Sequence, residues 1–285
     1  MLIIVSTSLI FFSYFTIAQQ NELNEETLKH YDFASSKSKS ITLSKELNEI
    51  SGLAITSDER LLAHNDEIGK VFELDIKTGK IIGEFKLGKK KLKRDFEGIA
   101  VVEDSLFMVT SSGVIYKFSF PDNDEHVDYK IFKTFLSVKY DIEGLCYDKA
   151  TNSLLLACKE YAGKNLKGYK AIYAFSLTNY SLNENPVYLI DLDDLKNKFN
   201  IKNFSPTAIE INPNSGNVFV LSSHEKAIIE LSAKGKLLNA VKLESKHHRQ
   251  PEGITFLSDQ SLVIADEGQN KKAKLTIVPI RKGIR

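Results

Sequence analysis

The 285-residue sequence has no surplus of either charge: 38 Lys and Arg stand against 37 Asp and Glu, a formal net charge of +1. No overall field therefore favours nucleic acid or an anionic membrane surface. It has no Gly-rich phosphate loop and no Gly-x-Ser-x-Gly nucleophile elbow, so acyl-transfer chemistry finds no support in its motifs. Cysteine is scarce, with only Cys146 and Cys158. Both lie on expected neighbouring strands of a hairpin turning near residues 150–152, in a register that does not set them opposite each other. Two buried thiols are expected rather than a disulfide, although an oxidising compartment would permit one.

The first eighteen residues, MLIIVSTSLIFFSYFTIA, carry no charge and end in Thr16-Ile17-Ala18. They read as a signal-peptide apolar region without its usual basic start, or, if retained, as an N-terminal membrane anchor. No Cys follows the run, which speaks against a lipoprotein. Residues 1–18 are thus expected as leader, 19–38 as linker and 39–285 as one folded domain, placed in the periplasm or outside the cell.

Five segments of that domain align: EISGLAI (49–55), DFEGIAV (95–101), DIEGLCY (141–147), SPTAIEI (205–211) and QPEGITF (250–256). Their small residues, Gly52, Gly98, Gly144, Ala208 and Gly253, are spaced by 46, 46, 64 and 45. Each is followed by two further short runs rich in Val, Ile, Phe and Tyr, then by a weaker one before the next anchor. Four strands per repeat of this length predict an all-β, five-bladed β-propeller of four-stranded antiparallel blades. The last repeat runs out after three strands at Ile280, so Ser40–Leu43 is expected to supply the fourth and close the ring. The longest interval holds about 18 surplus residues, too few for a sixth blade. They are assigned to a longer loop at 163–168 and to a short helix or excursion within 191–204.

The first strand of each blade lines a propeller's channel. The residue before each anchor then recurs around the axis: Ser51, Glu97, Glu143, Thr207 and Glu252. Three converging carboxylates repel one another unless a cation, a shared proton or nearby Lys and Arg offset them. Oxygen-only ligands favour a hard divalent cation such as calcium. The alternative is that these glutamates accept backbone N–H groups and hold the blades in register. Further acids follow the second strands: Asn65-Asp66, Glu160, His224-Glu225 and Asp266-Glu267. Two basic loops, Lys89–Arg94 and His247-His248-Arg249, precede anchors. The first reads as a solvated loop, or as a seat for an anionic ligand.

With its Glu-Gly anchors at 97–98, 143–144 and 252–253, and its LSSHE (221–225) and IADE (264–267) segments, the chain resembles the SdiA-regulated (YjiK-like) family, distantly related to NHL-repeat propellers. The resemblance implies a five-bladed propeller of the bacterial envelope with a calcium ion at the channel. Carried over by position, Glu97, Glu143 and Glu252 are the foremost metal candidates, followed by Glu160, Glu225 and Glu267. Blade two lacks the acidic pattern, having Thr110-Ser111-Ser112. The expected protein is a monomeric, non-catalytic scaffold engaging a small ligand or an envelope protein at its channel face. The competing expectation is a calcium-dependent hydrolase, a lactonase or phytase-like phosphoesterase, working through the same carboxylates.

Overall fold

The computed structural model describes residues 27–33, 38–121 and 125–281. The leader expected at 1–18 lies outside them. Among the described residues no helix is long and apolar enough to cross a membrane.

Five β-sheets close into a ring. Blade 1 holds β2 (Ile50–Ile55), β3 (Leu61–Asn65), β4 (Lys70–Leu74) and β5 (Ile81–Leu87). Blade 2 holds β6 (Phe96–Val102), β7 (Ser105–Thr110), β8 (Val114–Ser119) and β10 (Tyr129–Lys133). The short β9 (His126–Val127) leaves blade 2 and runs parallel to β5, giving blade 1 a fifth strand. Blade 3 starts with β11 (Ile142–Asp148), β12 (Ser153–Cys158) and β13 (Tyr169–Ser176). Blade 4 comprises β16 (Pro206–Ile211), β17 (Val218–Ser222), β18 (Ala227–Leu231) and β19 (Leu237–Lys242). Blade 5 comprises β20 (Pro251–Phe256), β21 (Leu262–Asp266) and β22 (Lys274–Val278).

The missing strand of blade 5 is β1 (Lys39–Thr42), antiparallel to β22 with Ser40 opposite Thr276 and Ile41 opposite Leu275. Pairing the two ends of the chain removes the open edge that an unclosed array would present.

The surplus residues of blade 3 interrupt its fourth strand. β14 (Ser181–Leu182) pairs with the end of β13, and β15 (Tyr188–Asp191) pairs with its beginning. Helix α1 (Leu192–Phe199) follows, where the Asp191 carboxylate caps the N–H groups of Asp193 and Asp194 at 2.9 and 3.1 Å. Asn200, in the left-handed region with φ 55°, ends the helix. Blades 1 and 3 therefore depart from the four-stranded pattern, while the count of five holds.

Part of the segment expected as linker is docked on the propeller. Leu28 and Tyr31 are buried among side chains of blades 4 and 5. The fully buried Glu230 accepts from Thr27 N, Thr27 Oγ1 and Leu28 N at 2.8, 2.8 and 2.9 Å, and from Asn217 Nδ2 at 2.7 Å. These hydrogen bonds offset the cost of taking the side chain's polar atoms out of water.

The apolar side chains gather into five clusters, one between each pair of neighbouring blades. At the axis the first strands come so close that a side chain would not fit. A Cβ on Gly98 would lie 2.7 Å from Leu145 Cβ and 2.8 Å from the Leu145 amide nitrogen. One on Gly144 would meet Ile209 N at 3.0 Å, and one on Gly253 would meet Leu53 Cγ at 3.0 Å. In each case the neighbour is the residue just after the next blade's anchor, which explains why the anchor is small.

Cys146 faces Leu155 across β11–β12, and Cys158 faces Ile142. Both are free and buried, as expected. Burial pushes both thiols above their ordinary pKa, that of Cys158 to about 12, which makes them poor nucleophiles.

Gly98→Ala is expected to destabilise the protein by about 1–3 kcal/mol through overpacking against backbone. Gly253→Ala, whose tightest neighbour is the movable Leu53 side chain, is expected to cost less. Urea unfolding of both variants checks the order.

Candidate cation site at the channel mouth

Every first strand carries a β-bulge at the same place. Ile50 pairs with Asn65 and Gly52 with His64, leaving Ser51 without a partner. The same shift falls between Phe96 and Gly98, Ile142 and Gly144, Pro206 and Ala208, and Pro251 and Gly253. The unpaired residues are therefore Ser51, Glu97, Glu143, Thr207 and Glu252. A bulge bends its strand and re-aims one side chain. Here it happens five times around one axis. Ser51, Glu97, Glu143 and Glu252 line a small axial cavity of about 10 Å³, room for one water-sized guest.

A second ring comes from the residues just after the second strands: Asp66, Ser111, Lys159, Ser223 and Glu267. Their register is fixed by backbone bonds to the segments leading into the first strands. Ser111 N bonds Asp95 O at 3.0 Å, Lys159 N bonds Asp141 O at 2.8 Å, and Glu267 N bonds Gln250 O at 2.8 Å. Glu49, Asp95, Asp141, Ser205 and Gln250 thus form an outer tier. Of these fifteen positions eight are acidic, and Lys159 alone is basic.

The hydrogen bonds show how this excess is partly met. Lys159 Nζ donates to Glu143 Oε1 at 3.0 Å and lies 3.9 Å from Asp141. Its ammonium is held in the charged form by Glu143, Asp141 and Glu252, which outweigh the effect of burial. The Ser51 hydroxyl donates to Glu97 Oε2 at 2.9 Å, crossing from blade 1 to blade 2. Thr207 turns instead to the backbone, donating to Pro251 O at 3.1 Å and tying blade 4 to blade 5. Both hydroxyl residues of this ring thus link neighbouring blades, Thr207 through the backbone and Ser51 through the Glu97 carboxyl.

The carboxylates remain short of positive charge. Burial, then the charges of Glu143 and Asp95, push Glu97 far above the usual carboxylate range. Burial also raises Glu143, against the pull of Lys159. Burial and Glu143 raise Glu252 to about 8, and burial with Glu49, Glu67 and Asp95 raises Asp66 to about 6. Burial, Asp66 and Glu49 raise Glu267. Asn65 Oδ1, Asp66 Oδ1 and Asp266 Oδ1 are buried without a hydrogen-bond partner.

Of the six glutamates singled out in the sequence, Glu97, Glu143 and Glu252 meet at the axial cavity, and Glu267 lies in the ring beyond it. Glu160 stands one residue past its ring position, which Lys159 takes. Glu225 stands two past, where it accepts from Ser205 N at 3.0 Å and Ser222 Oγ at 2.5 Å. Those bonds and His224 hold it below the usual carboxylate range despite burial. Among the described residues no three His, Cys, Asp or Glu side chains stand in a metal-holding arrangement. The two histidines of 247–249 part company: His248 Nδ1 pairs with Asp266 at 2.9 Å, both buried, whereas His247 is exposed beside Glu244. In the Lys89–Arg94 loop, Lys89, Lys90, Lys91, Lys93 and Arg94 are exposed, and Leu92 anchors it through a backbone bond to Gly69 N at 2.8 Å. Lys159 is the functional residue that sequence reasoning missed. Its signal was its equivalence to Asp66 and Glu267, one residue before Glu160.

The profile of the SdiA-regulated family matches residues 24–269. Among solved structures, the chain is similar to a glutaminyl cyclase from Myxococcus xanthus, with 13% identity and a TM-score of 0.56 over 85% of this chain and 94% of that one. A luciferin-regenerating enzyme gives 12% identity and a TM-score of 0.52 over 85% and 95%. A gluconolactonase from Xanthomonas campestris gives 13% and 0.51 over 81% and 72%. At these identities the likeness is one of fold. No curated protein matches the chain.

A carboxyl whose pKa is higher folded than unfolded stabilises the protein fully below its unfolded pKa, and that contribution is lost as pH rises through the folded pKa. For Glu252 the window runs from about 4.5 to about 8. With chelator present, wild type is expected to lose stability relative to Glu252→Gln across that window, by at most about 5 kcal/mol. Denaturant unfolding at pH 5, 6.5 and 8.5 checks the sign, and wild-type stability that rises relative to Glu252→Gln as pH increases contradicts it.

Proposed function

The chain belongs to the SdiA-regulated family, and from that premise we propose that it is an exported, calcium-binding propeller serving as a binding scaffold in the bacterial envelope. The observation that carries the reading is the set of three bulge-borne glutamates around a cavity of about 10 Å³, opposed by one ammonium group.

The residues suit a hard cation in chemistry and charge. Their donors are all oxygens, and their carboxyls are raised by burial and mutual repulsion. Glu97, Glu143 and Glu252 would hold the ion, with Ser51 beside Glu97 and with Asp66 and Glu267 as the outer acids. Bound there, calcium supplies the missing positive charge and Lewis acidity towards a ligand's oxygens. Glu160 and Glu225 take no part in this reading. Lys159 sets the charge balance of the mouth by neutralising Glu143 and leaving Glu97 and Glu252 without a cation of their own. The outer tier of Glu49, Asp95 and Asp141 draws cations inward and repels anions, so an anionic ligand would depend on the ion or on the exposed basic loop at 89–94.

Calcium at about 100 times its Kd is expected to stabilise the protein by about 2.7 kcal/mol, raising Tm by roughly 5–10 °C. Glu97→Gln combined with Glu252→Gln is expected to abolish the rise, and Glu225→Gln to leave it unchanged. Thermal melts with calcium and with chelator check this. Calcium-dependent turnover of lactones or phosphate esters, lost in Glu143→Gln, would favour a hydrolase instead.

A further inference from the structure

The other end of the channel holds a different site. Bulge residues open each first strand, and the residues that end it surround a pocket of about 300 Å³, distinct from the axial cavity. Its walls are largely apolar, with Ala54, Ile99, Ala100, Ile211 and Phe256 among them. Two carboxyls belong to this lining, that of the exposed Glu59 on the hairpin turn and that of Glu210, which alone stands on a first strand. The position two residues after the anchor is Ala54, Ala100 and Cys146 in blades 1 to 3, and Thr255 in blade 5. The repeat therefore does not call for an acid there, and four blades pack without one.

Glu210 is thinly provided for. Its Oε1 accepts from the adjacent Ile211 N at 2.9 Å, and its Oε2 has a long bond of 3.4 Å from the buried Thr255 hydroxyl. Among the described residues no Lys, Arg or His lines the pocket. The other titratable groups of the lining are Glu59, Cys146 and Tyr147, and none of them can neutralise a carboxylate. Burial raises Glu210 to about 7, against the pull of its two hydrogen bonds. A negative charge in an apolar cavity is costly unless paired, and no described residue of the lining pairs this one. Tyr147 and Phe256 add aromatic surface, which is favourable to a cation.

We propose that this end of the channel binds a small organic ammonium ion, its charged head on the Glu210 carboxylate and its apolar body against Ile99, Ile211 and Phe256. A largely apolar cavity of this size with a few polar groups that fix orientation is the usual form of a small-molecule site. The ammonium ion would bind the ionised carboxylate, so affinity rises as Glu210 loses its proton. From pH 6 to pH 8 the ionised fraction of a group titrating near 7 rises about tenfold. The site is independent of calcium at the opposite mouth.

Calorimetric titration with phenethylammonium, and with phenethyl alcohol as its uncharged counterpart, tests the proposal. Wild type is expected to bind the ammonium ion saturably, at least about tenfold more tightly than the alcohol, and about tenfold more tightly at pH 8 than at pH 6. Glu210→Gln keeps the side-chain shape and an acceptor for Ile211 N. It is expected to weaken ammonium binding by about tenfold or more while leaving the calcium-dependent rise in Tm intact. The wild-type pH profile stands without any variant. Equal affinity for amine and alcohol, a flat pH profile, no saturable binding at millimolar amine, or binding unchanged in Glu210→Gln would each overturn the proposal.

Discussion

The close approach of the five first strands at the axis constrains everything else in this molecule. The backbone of one blade passes where the next blade's anchor would carry a side chain, so Gly98 and Gly144 have no room for a Cβ without displacing Leu145 or Ile209. Strands brought together so tightly leave little axial space, and the bulge beside each anchor decides what fills it. Glycine sets the distance between blades, and the bulge aims the preceding residue inward. The Glu-Gly pair is thus one structural device with two parts. Blade 4, with Thr207 and Ala208, shows that the geometry accepts alternatives. It tolerates a small methyl at the anchor and uses the bulge residue for a backbone hydrogen bond to blade 5.

A fold that needs the bulge does not need it to be glutamate. Three carboxyls placed there are partly withdrawn from water, near one another, and bonded among the described residues to one ammonium group. Their raised pKa values express this cost: burial and mutual repulsion favour the protonated forms. Lys159 relieves Glu143, and Ser51 gives Glu97 a hydrogen bond but no charge. The acids of the two outer tiers extend the same field to the surface. The mouth is therefore poised for a positive charge from outside. The far end of the channel repeats the theme once, with Glu210 in an apolar pocket.

Much of this was legible in the sequence because the repeat is regular. The anchor spacing yielded five blades, and the early exhaustion of the last repeat yielded closure by Ser40–Leu43, realised as β1 on β22. Glu97, Glu143 and Glu252 were identified because each precedes an anchor. The bulges were not visible, since inserting one residue into a strand leaves no compositional mark. The hairpins joining first and second strands also differ in length from blade to blade, so the residue after each second strand does not fall at a constant distance from its anchor, which is why Glu160 was singled out where Lys159 stands, and Glu225 where Ser223 stands. Docking of Thr27–Phe33 also escaped notice. It depends on the buried Glu230, whose partners are remote in sequence. Glu210 lay within an aligned motif, yet its significance appears only when four blades show an uncharged residue at the same place.

Anomalous diffraction from calcium-soaked crystals, recorded at a long wavelength, tests the central claim most directly. The account expects one strong anomalous peak on the channel axis, bounded by Glu97, Glu143 and Glu252, and its loss in a variant with all three changed to Gln. A peak at Glu225 or Glu160 with the axis empty, or an axial peak that survives the triple change, would contradict it.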